Sequence, residues 1–321
     1  MTLTTPLCAL LGLEVPIVLA PMAQVAGGRL AAAVSAAGGL GLIGGGYADP
    51  HWVETEWSAA GGAAVGIGFI TWRLAQQPEV LARVLAWRPR AVLLSFGDIA
   101  PFVPAIAASG AVVIAQVQSV AQARAARAAG AEVIVAQGSE AGGHAGQRGT
   151  LALVPAVVDA VAPLPVLAAG GIADGRGIAA ALMLGAAGVM LGSRFYGSTE
   201  ALVHAAAQQA LISASGDDTV RGDVFDLLRG WQWPAAYRLR TLANAMTARF
   251  PGRADRLAAV LPAARAEFAA ALAAGDTRVA PVIVGEAADL ITAVAPAAAI
   301  VATLMQETQT ALGAAIRHLG G

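Results

Sequence analysis

The stretch "AAGGIADGRGIAAALMLGAAGVMLGSRF" (168–195) decides the fold. It holds the ends of two short apolar runs, "LPVLAAGG" (164–171) and "AGVMLGSR" (187–194), on either side of the Ala-rich segment "DGRGIAAALMLGA" (174–186). The two runs are continuously apolar and do not alternate with polar residues, which is typical of parallel strands covered by helices on their outer face. The stretch therefore predicts a strand, a helix and a second strand parallel to the first.

The same pattern recurs through the first 195 residues of the chain. Helical candidates such as "GRLAAAVSAAG" (28–38) and "SVAQARAARAAG" (119–130) end in Gly, which is a helix C-cap signal. Eight strand–helix units predict an α/β fold, a (β/α)8 TIM barrel, because a doubly wound sheet would leave shorter or more polar edge strands. The six further predicted strands are "PIVLAPM" (16–22), "GLGLIGG" (39–45), "AAVGIGFI" (63–70), "AVLLSFGD" (91–98), "AVVIAQVQ" (111–118) and "EVIVAQGS" (132–139).

The strand pattern stops after Phe195. We interpret residues 200–321 as the last barrel helix plus a C-terminal helical extension, so that residues 1–321 form a single domain. Within this extension lies "RGWQWPAAYRLR" (229–240), the tryptophan segment. Two hypotheses stay open for it: it forms a lid that keeps water out of the open end of the barrel, or it only packs the extension onto the barrel.

Composition excludes several classes of protein. The net charge of −1 argues against a nucleic-acid partner. The longest uncharged runs, 30–48 and 290–306, are interrupted by glycines or by Pro296 and neither is flanked by a basic cluster, so no membrane span is predicted. The N-terminus has no basic region typical of a secretory signal. Together with Cys8, the single cysteine, these features predict a protein of the reducing cytoplasm.

The sequence offers few types of side chain for catalysis. One cysteine cannot form an internal disulfide, a multi-cysteine zinc site or an iron–sulfur cluster, and we predict no metal site. All 20 basic residues are arginines, so Schiff-base chemistry and the P-loop lysine are excluded. Four histidines, the carboxylates, arginine, tyrosine and the backbone remain.

In a (β/α)8 barrel, function lies at the carboxyl ends of the strands. The predicted seventh strand ends in Gly170 and Gly171, and the eighth ends in Gly192 and Ser193. Bare backbone at these two neighbouring ends exposes N–H groups to an anion, and a phosphate site in the same two loops recurs across this fold. The sequence therefore predicts a phosphate-binding site there.

The stretch "AQGSEAGGHAG" (136–146) carries the predicted catalytic residue. It begins at the end of the sixth strand, and its glycines leave His144 little to pack against, so we predict a catalytic role for His144. Glu140 is predicted to bond the backbone within the loop. The other histidines, namely His51, His204 and His318, are interpreted as surface or packing residues.

These motifs carry a resemblance to a known family. "LGLEVPIVLAPM", "QGSEAGGHAG" and "PVLAAGGIADGRGIAAALMLGAAGVMLGSRF" resemble the nitronate monooxygenases, formerly called 2-nitropropane dioxygenases, and so do "GIGFITW" (66–72) and "YRLRTLANAMTARFPGR" (237–253). The resemblance implies an FMN-dependent enzyme that oxidises alkyl nitronates, and in some members nitroalkanes, with O₂. It also implies that His144 lies near the flavin and removes the substrate α-proton.

The resemblance implies which residues contact the cofactor. Pro21 and Met22 would lie against the flavin ring, Gln137 and Gly142 would contact the cofactor, and the glycines and the 190–193 turn would hold its phosphate region. The full predicted set is Ala20, Pro21, Met22, Gly68, Gln116, Gln137, Gly142, Gly170, Gly171, Met190, Leu191, Gly192 and Ser193.

The chain departs from the family pattern at three positions. Gly68 stands where many members have Asn, Gln116 stands where some have Lys, and Ser193 replaces the commoner Thr. These departures leave alternatives open: a flavin-dependent enoyl-acyl-carrier-protein reductase or an NAD(P)H:quinone reductase, or a flavin-binding protein without catalysis. The expected partners are a small nitronate or nitroalkane and O₂, with NAD(P)H under the reductase alternatives, and the chain is expected to be a monomer or a homodimer.

Overall fold

The structure is a computed structural model that describes residues 3–252 and 254–319. Eight parallel strands follow one another around a barrel, in the order β1, β9, β8, β6, β5, β4, β3, β2. Backbone hydrogen bonds close it between β1 and the residues before β2, since Leu19 donates to Leu40 over 2.9 Å and Leu40 donates to Ile17 over 3.0 Å. The strands are β1 Ile17–Leu19, β2 Leu42–Gly46, β3 Gly66–Ile70, β4 Ala91–Ser95, β5 Val112–Val117, β6 Val133–Gln137, β8 Val166–Ala169 and β9 Gly188–Leu191.

All eight predicted barrel strands are confirmed, and so is the TIM-barrel fold. The strands are buried on both faces because helices cover the outside and side chains fill the inside. Interior residues such as Leu93, Ile114 and Leu167 pack into one cluster with Leu7 and Leu11 of the first helix. That helix therefore closes the end of the barrel opposite the strands' carboxyl ends.

The helices alternate with the strands and begin and end where the sequence provides caps. The Ser119 hydroxyl accepts from the Gln122 N–H at the start of one helix, and Gly130 ends it with a φ of +102°. The α-helices are α1 Pro6–Leu11, α2 Gly28–Ala36, α3 Pro50–Ala59, α4 Thr71–Leu74, α5 Pro78–Ala86, α6 Val103–Ser109, α7 Val120–Ala129, α8 Thr150–Val161, α9 Gly175–Met183, α10 Ser193–Tyr196, α11 Ala205–Ile212, α12 Val224–Arg229, α13 Ala245–Arg249, α14 Ala254–Ala259, α15 Leu261–Ala274 and α16 Ala297–Leu319.

The extension is helical, as predicted, but it also contains two strands that we did not predict. Strands β10 (Thr219–Gly222) and β11 (Arg238–Leu242) form an antiparallel sheet with β7 (Gly143–Ala145). The apolar pattern misses them because β10 and β11 carry arginines and β7 carries glycine. Strand β7 belongs to the loop after β6, so this sheet joins the extension to the predicted catalytic loop.

The last helix returns to the barrel. Helix α16 packs against α9 and α2, and its Glu307 carboxylate accepts from the Gly175 N–H over 2.9 Å. Across the described part of the chain, the structure contains no helix that is both long and apolar enough to cross a membrane.

Candidate active site

The predicted cofactor residues meet at one end of the barrel, which we call the barrel mouth. Parallel strands end on the same side, so the residues that follow β1, β6, β8 and β9 face the same space. Gln116 lies near the carboxyl end of β5, and Gly68 lies midway along β3, where it adjoins Pro21. The structure thus brings the predicted positions together, while the role of each in holding a cofactor stays a prediction.

His144 lies on β7, where it pairs with Leu239 of β11. Its side chain is 8% exposed, and its Nε2 lies 2.9 Å from Oδ2 of Asp226, whose side chain is 4% exposed. A carboxylate only accepts, so in the neutral imidazole Nε2–H donates and Nδ1 keeps the lone pair. No hydrogen bond joins Nδ1 to any residue in the described ranges. Nδ1 is therefore the nitrogen that can take a proton from a substrate.

Opposing effects set the charge state of His144. Burial lowers the pKa of His144, and the Asp226 carboxylate partly raises it again. The positive charges of Arg229 and Arg221 add to the lowering. A pKa below the ordinary value of about 6.5 keeps the imidazole neutral at neutral pH, which is the form a base needs.

The tryptophan segment lies over the barrel mouth. Trp233 stacks on His144 with ring centroids 3.4 Å apart, and Trp231 stacks on Tyr47 with centroids 4.3 Å apart. Trp233 Nε1 donates to the Tyr47 hydroxyl over 3.2 Å, and Phe96 meets Trp233 edge-on. Tyr47 and Phe96 directly follow β2 and β4. The segment packs on the barrel through aromatic side chains that surround His144, and its action as a lid stays a prediction.

Three glutamines form an amide network beneath this layer. The Gln137 Oε1 accepts from Gln116 Nε2 over 3.0 Å and from Gln118 Nε2 over 2.9 Å. Two donors on its oxygen orient the Gln137 amide and leave its own N–H groups to donate elsewhere. Gln137 and Gln116 were predicted from the resemblance, whereas Gln118 was missed, although it is the last residue of the predicted fifth strand.

The glycines of the barrel mouth divide into two groups. A Cβ at Gly192 would have nothing nearer than 3.6 Å, so this position leaves clearance that a cofactor can use. Gly171 is exposed, but a Cβ there would lie 3.2 Å from the Glu140 Cβ, and its φ is +70°. At Gly68 a Cβ would lie 2.3 Å from Pro21, at Gly142 it would meet the Val284 backbone at 2.5 Å, and at Gly170 it would meet Gly138 at 2.9 Å. These last three glycines are required by the protein's own packing.

A segment of the extension adjoins the predicted phosphate region. The Gly285 N–H donates to the Ser193 hydroxyl over 2.9 Å. Arg240, which is buried on β11, donates to the Ser139 carbonyl over 3.1 Å and pairs with Glu286 over 2.7 Å. Sequence reasoning missed Arg240 and Gly285, since neither belongs to a barrel strand. The extension therefore holds the loops that carry His144 and Ser193.

Glu140 bonds the backbone, as predicted, but the backbone of α8 and not that of its own loop. Its carboxylate accepts from the Thr150 N–H and from the Thr150 hydroxyl, each over 2.9 Å, and so caps α8. His204 likewise caps α11 through Nδ1, and His51 is exposed. The side chain of His318 and residue Arg253 of the family-like motif lie outside the described residues.

Comparison with known proteins fits this geometry. The family model described as nitronate monooxygenase matches residues 4–64 and 70–307. The chain belongs to the nitronate monooxygenase family. Nitronate monooxygenase npaC of Metarhizium robertsii is 40% identical over 260 residues, which cover 71% of this chain and 72% of that protein.

Two solved structures resemble the whole barrel with its extension. FabK from Thermotoga maritima has a TM-score of 0.83 at 30% identity and covers 99% of this chain and 100% of its own. Nitroalkane oxidase from Streptomyces ansochromogenes has a TM-score of 0.80 at 27% identity, over 95% of this chain and 99% of its own. This member of the nitronate monooxygenase family is therefore a flavin-dependent oxidoreductase. Within the described ranges, no group of three or more His, Cys, Asp or Glu residues could hold a metal ion.

Proposed function

We propose that the chain binds FMN and oxidises alkyl nitronates with O₂, and that it also takes neutral nitroalkanes with His144 as the base. The observation that carries the proposal is the state of His144. It is a buried imidazole at the barrel mouth with Nε2 paired to Asp226 and with Nδ1 unpaired among the described residues. Family membership supplies the substrate class.

The residues at the barrel mouth fit a flavin mononucleotide. Gly171, Gly192 and Ser193 would hold the phosphate region, because backbone N–H groups and a hydroxyl are the donors an anion needs and Gly192 leaves room. Gln137 would donate to the ring system from its oriented amide. When bound, FMN supplies the ring that takes electrons from the substrate and passes them to O₂.

The chain's own residues provide proton transfer and shielding. His144 is neutral at neutral pH, so Nδ1 can accept the α-proton of a nitroalkane, a step to which a positioned base typically contributes about 10²–10⁴-fold. A nitronate has already lost this proton and needs no base. Trp233 covers one face of the imidazole and keeps bulk water from it.

The experiment begins with the purified protein. It should be yellow, heat should release FMN and not FAD, and oxygen uptake should follow the addition of an alkyl nitronate. The absence of flavin, with no binding of added FMN, would refute the proposal. Oxygen uptake with NAD(P)H alone and none with nitronates would favour the reductase alternatives. A cytoplasmic location and a monomeric or homodimeric state stay predictions of the sequence.

A further inference from the structure

The contact between His144 and Asp226 joins two parts of the chain that lie far apart in sequence. His144 lies in the loop after β6, and Asp226 lies 82 positions later on α12 of the extension. Helix α12 is fixed by its packing, with Phe225 against Phe268 of α15 and the Asp226 carbonyl accepting from the Trp231 N–H over 2.9 Å. Asp226 is therefore presented to His144 from a supported element.

The Asp226 carboxylate is poorly satisfied. Its Oδ1 is buried and has no hydrogen-bond partner among the described residues. Among those residues, the carboxylate is therefore hydrogen-bonded through Oδ2, to His144. A buried carboxylate oxygen without a partner costs stability. Such unsatisfied groups need a reason in native structures, and a catalytic role is one of the usual ones.

The charges around His144 come from two elements of the extension. Asp226 and Arg229 belong to α12, and Arg221 belongs to β10. Asp226 is the one negative group that acts on His144 in the described structure, and it is the group in direct contact. Removing its charge therefore leaves His144 facing two arginines.

We propose that Asp226 is a positioning residue, which fixes His144 as the Nε2–H tautomer and thereby presents Nδ1 to the substrate. This inference rests on the proposed function for its kinetic consequence, but not for the tautomer itself. The opposite tautomer would place a proton on Nδ1 and a lone pair against the carboxylate, which is unfavourable for both groups.

The proton transfer that Asp226 supports balances as follows. The Cα–H bond of a neutral nitroalkane breaks, an Nδ1–H bond forms, and the electron pair of the C–H bond moves into the C=N bond of the nitronate. The products are a nitronate anion and an imidazolium. The Asp226 carboxylate accepts the hydrogen bond from Nε2–H and stabilises the imidazolium, as carboxylates do in other histidine pairs. A substrate supplied as nitronate skips this step entirely.

The test compares Asp226→Asn with a matched control, Asp223→Asn. Asp223 lies on the same turn, is half-exposed and pairs only loosely with Arg238, at 3.6 Å, so its change removes the same charge without touching His144. For Asp226→Asn we expect kcat/KM to fall about 10²–10⁴-fold with a neutral nitroalkane, because tautomer control of a histidine base is worth that much. With the matching nitronate we expect a change within about threefold. Asp223→Asn should leave both values near those of the wild type.

Histidine ¹⁵N NMR gives a readout that does not depend on activity. The signal of His144, assigned by its loss in His144→Gln, should show a protonated Nε2 and an unprotonated Nδ1 in the wild type. Asp226→Asn should give a mixture of tautomers, and Asp226→Glu should restore part of the wild-type pattern. If Asp226→Asn fails to fold, the wild-type spectrum and the Glu variant still decide the question.

Two results would overturn the inference. One is a wild-type His144 that carries its proton on Nδ1. The other is an equal loss of activity toward the nitroalkane and the nitronate in Asp226→Asn, which would indicate a structural role only. If the wild type oxidises neither substrate while the NMR pattern is as expected, the proposed function fails and the tautomer assignment stands.

Discussion

The indole of Trp233 lies parallel to the imidazole of His144, with an angle of 9° between the rings. Trp233 belongs to the extension and His144 to the loop after β6. The extension therefore supplies both the carboxylate that bonds the imidazole edge and the ring that covers its face. The barrel therefore positions His144, and the extension sets the environment of its imidazole.

Trp233→Ala should raise the pKa of His144 toward its ordinary value. Burial is the largest cause of the lowered pKa, and removing the stacked indole lets water reach the ring. The acidic limb of the kcat/KM profile for a neutral nitroalkane should move to higher pH. Trp231→Ala is the control, since Trp231 stacks on Tyr47 and not on His144. Equal shifts in the two variants would contradict the assignment.

His144 should also make stability depend on pH. Its folded pKa lies below the unfolded value of about 6.5, so the unfolded state binds the proton first as the pH falls. The stability associated with neutral His144 is fully present above the unfolded pKa and is lost as pH falls toward the folded pKa. Between about pH 7.5 and 5, the melting temperature of the wild type should drop more than that of His144→Gln. Parallel curves would show that the pKa is not lowered.

Gly68→Ala should lower the stability of the protein, whereas Gly192→Ala should leave its stability unchanged and weaken FMN binding. A Cβ at Gly68 would lie 2.3 Å from Pro21 Cγ, and relieving such overpacking typically costs about 1–3 kcal/mol, measurable by urea unfolding. At Gly192 the nearest atoms are 3.6 Å away, so the apoprotein should keep its stability. If Gly192 faces the cofactor, its variant should bind FMN more weakly. Unchanged FMN affinity would remove Gly192 from the predicted site.

Glu140→Gln should affect stability more than catalysis. The Glu140 carboxylate accepts from the Thr150 N–H and hydroxyl and so caps α8, and losing a cap of this kind typically costs about 1 kcal/mol. We expect a lower urea midpoint with kcat/KM near the wild-type value. A large loss of kcat at temperatures where the variant is folded would instead make Glu140 part of the catalytic machinery.

The barrel strands were predictable because each is a short, continuously apolar run between helical segments, and that pattern depends only on local burial. The position of His144 at the barrel mouth was predictable for a related reason, because its loop lies at a strand end and is rich in glycine, while its catalytic role stays a prediction. The small sheet of β7, β10 and β11 was not predictable, since its strands are arginine- or glycine-rich and one of them comes from a distant loop.

Nothing in the sequence around Asp226 indicated that it belongs to the candidate site. In sequence it is one carboxylate in "VFDLLR", a short helical turn with apolar neighbours. Its role appears only when the β7–β11 pairing and the packing of α12 bring it to His144. The close packing of Gly142 on the Val284–Gly285 backbone likewise had no local signal, and its predicted cofactor contact stays a prediction. Roles that depend on tertiary contacts across the extension could not be derived from strand ends alone.

The most direct test of the central claim is anaerobic stopped-flow absorbance of the flavin-loaded protein. Our account predicts that an alkyl nitronate bleaches the flavin absorbance rapidly, and that a neutral nitroalkane bleaches it in the wild type and far more slowly in His144→Gln. NAD(P)H should leave the absorbance unchanged on the same time scale. Rapid bleaching by NAD(P)H with none by the nitronate would contradict the account and assign the protein to the reductases.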